Sequence, residues 1–333
     1  MNYFLGIDTS NYTTSAAVFL EETGEVFQSR RLLPVKKGEL GLRQSDAVFH
    51  HTSSMPEIFD ELFLKQELED FNINSLKAVS ASIFPRRLEG SYMPCFLVGK
   101  NACDVLSAVT KTNKNYFSHQ EGHIAACFFE KRPKENGTEG FFLSEERLKL
   151  LEGDFVAFHF SGGTSDCLLI ENNIDQKLKV TPICQSLDLK AGQAVDRVGA
   201  ILGLSFPAGR QLEKLALKSE KAYSPKPFFK DGCPSFSGVQ NKCEKMLSDG
   251  ESPCDIARFA LDYISACAEG MLRFARKAYG SLPAVLCGGV MSNSLVKESL
   301  FKNKNIISCE TELSSDNSTG IALLGYLKQK GII

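Results

Sequence analysis

The sequence lacks several things, and each shortage removes a class of function. It has no C-x-x-C pair, and its eleven cysteines are odd in number and without repeated spacing. Most lie in apolar segments, as Cys127, Cys167, Cys267 and Cys287 do. They read as reduced, buried small hydrophobes rather than a disulfide framework, which places the expected location in the cytoplasm. No apolar run approaches the ~18 residues that a spanning helix needs, so no membrane segment is expected. The chain starts directly on a strand-like YFLGID, so no signal peptide is expected before the fold. Lys and Arg number 38 against 40 Asp and Glu, giving a net charge of −2 and no global basic field. Any nucleic-acid contact must therefore use a local patch, such as Lys36–Lys37 or Lys111–Lys114. What is present, 43% apolar and 23% charged residues over 333 positions, suits a soluble globular protein of two domains.

Histidine is also scarce, with five in the chain, yet two stand four apart in SHQEGHIAACFFE, residues 118–130. On the helix that the following apolar run predicts, His119 and His123 share a face and can share a metal ion. The spacing alone equally suits two polar residues on a solvated turn. A zinc-protease motif is absent, because Gln120 follows His119, Gly122 precedes His123, and Glu121 lies between, about 100° from where either protease arrangement needs a carboxylate. Peptide hydrolysis is disfavoured.

Residues 3–20, YFLGIDTSNYTTSAAVFL, read as two strands around a hydroxyl-rich turn, with Asp8 closing the first and a third strand at 25–33. Such a loop can hold a phosphate or a hydrated metal. A helix is predicted over 44–68, where the adjacent His50 and His51 read as surface or packing residues, then a strand at 77–83 and a loop-to-helix stretch at 84–109. Arg86 and Arg87 in that stretch either meet an anion or are solvated. Residues 131–152 read as a polar linker or insert. At 153–172 the opening pattern returns, GDFVAFHFSGGTSDCLLIEN, again strand, small-residue turn, strand. One recurrence at domain scale predicts a duplicated α/β fold, residues 1–130 and 153–333, with the site between the halves. Two helices follow, broken at Ser205–Gly209. Then come a long amphipathic helix at 254–279 and a strand with a Gly288–Gly289 turn that suits a flat ring lying against the backbone. Asp316 opens the last helix, where an N-cap role explains it fully.

LGIDTS, HQEGHI, SGG, GQAVDRVGAILGLSFPAG, SFSG, LCGGVMSN and SSDNSTGIALLGY, in this order from residue 5 to residue 328, resemble the TsaD family of tRNA threonylcarbamoyladenosine transferases, once labelled O-sialoglycoprotein endopeptidases. The resemblance implies the actin/Hsp70/sugar-kinase-like (ASKHA) fold, two lobes with a nucleotide cleft between them, and a last helix packing back toward the first lobe. It implies an acyltransferase that passes a threonylcarbamoyl group from threonylcarbamoyl-adenylate to a tRNA adenosine, with partner subunits of the same machinery. It implies one divalent metal, iron or zinc, on His119, His123 and Asp316. An ATP- or adenylate-type nucleotide is implied at His159, Phe160, Ser161, Gly162, Gly163, Asp196, Gly209, Glu213, Gly288, Gly289 and Asn293.

The departures from the family's pattern are specific. Where it has carboxylates in the first loop, TSNYTT puts Tyr12 and Thr13, so the catalytic positions of that loop are Asp8 and a phenol, Tyr12. FPRRLEG replaces a Gly-Pro-Gly-Leu turn, Thr164–Ser165 replaces His-Thr, and Arg197 replaces lysine. These changes leave other readings standing beside the transferase: a nucleotide-binding scaffold or regulator that no longer modifies tRNA, or a carbamoyltransferase with a different acceptor.

Overall fold

A computed structural model describes residues 1–10, 12–35, 42–173, 177–302, 305–315 and 318–333. Lys36, Lys37 and Asp316 lie outside the described residues. The chain forms two compact units: Met1–Glu152 with Asn173–Leu178 and Glu312–Ile333, and Gly153–Asn172 with Lys179–Thr311.

The first unit begins with a meander, β1 (Tyr3–Ser10), β2 (Thr13–Leu20) and β3 (Glu25–Leu32), whose register pairs Ser10 with Thr13 at the first turn. Buried on both faces, β1 and β2 carry apolar or small residues at nearly every position rather than in alternation. Helix α1 (Gln44–Phe63) leads to β4 (Leu76–Phe84), parallel to β1, and α2 (Phe96–Thr110) leads to β5 (Asn113–Ser118), parallel to β4. The core between α1, α2 and the sheet includes Leu5, Ile7, Val18, Ile58, Leu62 and Val79. Phe49 on α1 is 66% exposed.

Helix α3 (His119–Ala126) follows β5 without a loop, and β6 (Phe129–Pro133), β7 (Glu139–Leu143) and the short α4 (Glu145–Leu148) come next. The stretch 131–152, expected as a linker, is thus part of the first sheet, which runs β5-β4-β1-β2-β3-β7-β6. Its charges are those of an edge. Lys131 pairs with Glu139 across the hairpin, and Lys134 reaches Glu25 and Glu67, so polar composition here protects an exposed strand rather than marking flexible chain.

In the second unit β8 (Phe155–Phe160), β9 (Ser165–Glu171) and β10 (Lys179–Gln185) form another antiparallel meander. Helices α5 (Ala191–Ile201) and α6 (Gly209–Ala216), the small hairpin β11 (Phe229–Lys230) and β12 (Cys233–Pro234), and helices α7 (Ser237–Ser248) and α8 (Pro253–Tyr279) lead to β13 (Ala284–Cys287). After α9 (Ser294–Phe301) comes β14 (Ile306–Ser308), and the sheet order is β10-β9-β8-β13-β14, with β13 parallel to both β8 and β14. The first unit repeats this plan strand for strand: three antiparallel strands, then two parallel ones added beside the first. The duplication that the two hairpins suggest is a duplication of topology. Finally α10 (Ser318–Gln329) returns to the first unit. Among the described residues, no helix is long and apolar enough to cross a membrane.

His51, expected as a surface or a packing residue, packs: it is fully buried, its Nδ1 2.8 Å from Thr14 Oγ1 behind the first hairpin. Burial pushes its imidazole down to about 4, against the pull of the Asp8 charge. An unfolded imidazole protonates near 6.5 and the folded one only near 4, so the unfolded chain binds more protons in that window. Stability that is full above pH 6.5 is therefore lost as pH falls toward 4, by about 3 kcal/mol for this group. His51→Gln is expected to flatten the pH dependence of the urea midpoint across that window. An unchanged dependence would show that another group governs it.

Candidate active site

The site in the first unit is built on the junction of β5 and α3. Ser118 caps α3: its hydroxyl accepts from Glu121 N at 3.1 Å, and the Glu121 carboxylate accepts from Ser118 N at 2.6 Å. This reciprocal cap starts the helix at His119 and so fixes where its first-turn side chains emerge. The imidazoles of His119 and His123 meet at Nε2–Nε2, 3.0 Å apart, with rings at 79°.

Asp8, at the end of β1, lies against the other side of His119. Its carboxylate oxygens are 3.0 and 3.1 Å from His119 Nδ1 and also take the Ser82 hydroxyl from β4. Asp8 has no exposed surface. Burial drives its carboxyl up, but the His119 charge and hydrogen bonds from His119, Ser82 and Ser10 outweigh it and hold the group below the usual carboxylate range. A carboxylate at Nδ1 fixes the tautomer in which Nε2 offers its lone pair, the arrangement that metal-ligating histidines need. Two imidazole nitrogens at about 2.0–2.1 Å from one ion stand roughly 3.0–3.4 Å apart, so the observed 3.0 Å fits. Among the described residues no group of three or more His, Cys, Asp or Glu side chains gathers to hold a metal. The expected third ligand, Asp316, is outside that set, and the described chain just beyond it is closely seated. Gly320 of α10 lies so near α3 that a Cβ there would stand 2.8 Å from Gly122 C and 2.9 Å from Ala126 N.

The rest of the first hairpin is gripped from the opposite face. Thr9 Oγ1 donates to Cys95 O at 3.0 Å and accepts from Gly99 N at 3.1 Å, which anchors the start of α2 to the loop. Tyr12 is a half-buried turn residue whose carbonyl accepts from Leu33 N at 2.8 Å. Arg87 meets an anion of its own chain, Nε to Glu121 Oε1 at 2.9 Å, so the FPRRLEG segment is tied to the cap of α3.

In the second unit the Ser161–Thr164 turn closes β8 onto β9, with Ser161 Oγ accepting from Gly163 N at 3.3 Å and Thr164 N at 3.1 Å. The first turn of α5 backs onto it: a Cβ on Gly192 would stand 2.7 Å from Gly162 N and Ser161 O. Gly288, at φ +91°, brings the other glycine turn against the end of β8, with Val290 N donating to Phe160 O at 3.1 Å. A Cβ on Gly162, Gly163 or Gly289 would meet nothing within 4 Å, so these turns present bare backbone to open space. Phe160 lends its carbonyl to this arrangement, while its ring is fully buried 5.7 Å from Phe236. His159 is 1% exposed, in register between Asp166 and Cys287.

Glu213 and the start of α9 are also joined, through Ser294 N and Ser294 Oγ at 2.7 and 2.5 Å from Glu213 Oε1. Asn293 uses its side-chain oxygen as the N-cap of α9, accepting from Leu295 N and Val296 N at 3.1 and 3.3 Å. Asp196 accepts from Ala208 N at 2.9 Å, just before Gly209 starts α6, and its carboxyl is pushed up by burial, only partly offset by that bond. Ser82 and Ser294 carry no mark in the sequence. Each acts through a partner far away in the chain, so no local spacing marks it.

The duplicated strand plan, three antiparallel strands with two parallel ones beside the first, defines the actin/Hsp70/sugar-kinase-like (ASKHA) α/β fold. Solved structures share it. HypF of T. kodakarensis matches with a TM-score of 0.63 at 14% identity, over 99% of this chain and 48% of that one. Component A of the Acidaminococcus fermentans (R)-2-hydroxyglutaryl-CoA dehydratase matches with a TM-score of 0.57 at 15% identity, over 99% and 100%. The TsaD family model, tRNA N6-adenosine threonylcarbamoyltransferase, matches residues 147–323, more than half of the chain. The chain belongs to the TsaD family. It is similar to the tRNA N6-adenosine threonylcarbamoyltransferase of Thermosipho melanesiensis, 28% identical and covering 97% of this chain and 93% of that protein. The Thermosipho africanus enzyme of the same name is 26% identical over 98% and 95%. Identities near a quarter mark a divergent member.

Proposed function

We propose that this protein transfers the threonylcarbamoyl group of threonylcarbamoyl-adenylate to N6 of a tRNA adenosine, with a divalent ion, iron or zinc, held by His119, His123 and Asp316. The observation that carries the proposal is the Asp8–His119–His123 chain, in which a buried carboxylate orients one imidazole and the two Nε2 atoms converge. When bound there, such an ion supplies Lewis-acid polarisation of the donor. The remaining work belongs to the chain. The bare backbone at Gly162, Gly163 and Gly289 suits close approach of the adenylate, with Asp196, Glu213 and Asn293 assigned to ribose and base. In the reaction N6 bonds to the carbamoyl carbon, the bond to the phosphate oxygen breaks, AMP leaves, and N6 loses a proton. Asp8 is buried and committed to His119 and Ser82, so its part is positioning. Glu121 is committed to Ser118 and Arg87, which speaks against a protease using it as general base. Cytoplasmic location and partner subunits follow from the same reading.

Tyr12, a phenol where the family has a carboxylate, supports a second reading: a nucleotide-binding scaffold without tRNA modification. One experiment separates them. The protein is incubated with threonylcarbamoyl-adenylate and unmodified tRNA, and digested nucleosides are weighed by mass spectrometry, beside Tyr12→Asp. Modified adenosine from the wild type is the expected result. Product from Tyr12→Asp alone would establish the scaffold, and donor consumption without modified tRNA would point to another acceptor.

A further inference from the structure

One carboxylate of the second unit turns away from the cations beside it. Glu213 stands on α6 three residues after Arg210 and next to Lys214, yet it forms no ion pair among the described residues. Its Oε1 instead takes two bonds from a single residue 81 positions away, Ser294, whose N donates at 2.7 Å and whose Oγ donates at 2.5 Å. Oε2 accepts no hydrogen bond among the described residues, and the side chain is half-buried rather than enclosed.

The two bonds have different consequences. The backbone bond belongs to the start of α9. Asn293 already takes Leu295 N and Val296 N, and Glu213 takes the N–H of the residue before them, as a carboxylate at a helix N-terminus does. Any residue but proline at 294 would supply that bond. The hydroxyl is surplus to the cap. With one donor the Glu213 carboxylate could still swing about its last torsion, which is broad and two-fold. With two donors on Oε1 both in-plane lone-pair directions are filled, so the plane of the group is set and Oε2 is the acceptor left over. Ser294 is in turn held to the second glycine turn. Ser292 Oγ donates to Gly289 O at 2.7 Å, Met291 N to Gly288 O at 3.0 Å and Asn293 N to Val290 O at 3.2 Å, so residues 288–294 form one hydrogen-bonded unit. The open oxygen of Glu213 therefore keeps a fixed place relative to the bare backbone of Gly289.

We infer that Ser294 is a positioning residue, whose hydroxyl aims Glu213 Oε2 at one ribose hydroxyl of the bound nucleotide and so selects the ribonucleotide over a deoxy form. The inference rests on the nucleotide reading of the Gly288–Gly289 turn. A carboxylate oxygen already holding two donors has no lone pair for a third, so Glu213 serves one hydroxyl through Oε2 rather than bridging two. The O–H to carboxylate bond is charge-assisted. A site built for it rejects the analogue that lacks the hydroxyl, because the oxygen is then left unpaired. Without Ser294 Oγ the carboxylate can rotate and meet water instead, and the missing hydroxyl is felt less.

The test is calorimetric binding of 5′-AMP, 2′-deoxy-AMP and 3′-deoxy-AMP to the full chain, for wild type, Ser294→Ala and Ser294→Thr. In the wild type one of the two deoxy nucleotides is expected to bind roughly tenfold or more weakly than AMP. Ser294→Ala keeps the backbone bond and is expected to unfold at the wild-type urea midpoint, while that preference falls to about threefold. Ser294→Thr, which returns a hydroxyl, is expected to restore it. A full wild-type preference in Ser294→Ala would overturn the inference, as would an equal weakening of all three nucleotides, the mark of a merely structural contact. A wild type that binds no adenine nucleotide would sink the nucleotide reading itself, whereas AMP binding with no preference among the three sinks only the role of Ser294.

Discussion

His119→Ala is expected to leave the purified protein without stoichiometric metal and to lower threonylcarbamoyl transfer by more than the roughly 10–100-fold that losing an orienting partner costs. Two effects combine. The substitution deletes one of two converging Nε2 atoms, and it leaves the Asp8 carboxylate buried without its Nδ1 hydrogen-bond partner. A carboxylate in that position costs several kcal/mol unless it protonates or water enters. Asp8→Asn separates these effects. Asparagine keeps the shape, and the amide can turn its nitrogen toward His119 Nδ1, favouring the opposite tautomer and carrying the proton to Nε2. Metal affinity is then expected to fall about 10–100-fold while the fold is retained. Metal content by mass spectrometry and transfer rate are measured together. Stoichiometric metal in His119→Ala would remove the imidazole pair from the site, and an Asp8→Asn protein with full metal affinity would show that the carboxylate does not set the tautomer.

How far the sequence could carry this site differs residue by residue. The i, i+4 spacing placed His119 and His123 on one helix face because helix periodicity is a local property, and the capping pair Ser118 and Glu121 is local as well. The recurrence of strand, small-residue turn and strand exposed the duplication for the same reason. Asp8 was visible as a strand-ending acid in the first loop, yet its partner is 111 positions away, and no spacing announces that distance. His50 and His51 were left as surface or packing residues because an adjacent His-His pair on a helix carries no sign of which member faces inward; Thr14 and the hairpin decide that for His51. The 131–152 stretch failed differently. Edge strands carry charge to discourage further pairing, and that composition is shared with linkers, so only the partner strand β3 tells them apart.

The largest stability effect is expected from Gly320→Ala. By helix propensity alone, alanine within α10 would stabilise by about 1 kcal/mol. The neighbours reverse the sign. A Cβ at 320 would overlap Gly122 O and approach Gly122 C to 2.8 Å and Ala126 N to 2.9 Å. All three are backbone atoms of α3 and cannot rotate away, so α10 must lift from α3. The other side of α10 is equally tight, since a Cβ on Gly6 of β1 would lie 2.9 Å from Ala322 Cα. The helix is wedged between strand and helix with no slack in either direction, and overpacking that forces backbone movement costs about 1–3 kcal/mol. The consequence for function follows from where the wedge is. Gly122 sits between His119 and His123 in sequence, so the same displacement strains the imidazole pair of the proposed metal set. Gly320→Ala is therefore expected to lower the urea midpoint by the equivalent of about 3 kcal/mol, the upper end of overpacking costs, and to lose metal before it unfolds. Gly153→Ala, where a Cβ meets nothing within 4 Å, serves as the control and is expected to stay near wild type. A Gly320→Ala protein within about 0.5 kcal/mol of wild type would mean that α10 and α3 do not pack backbone to backbone.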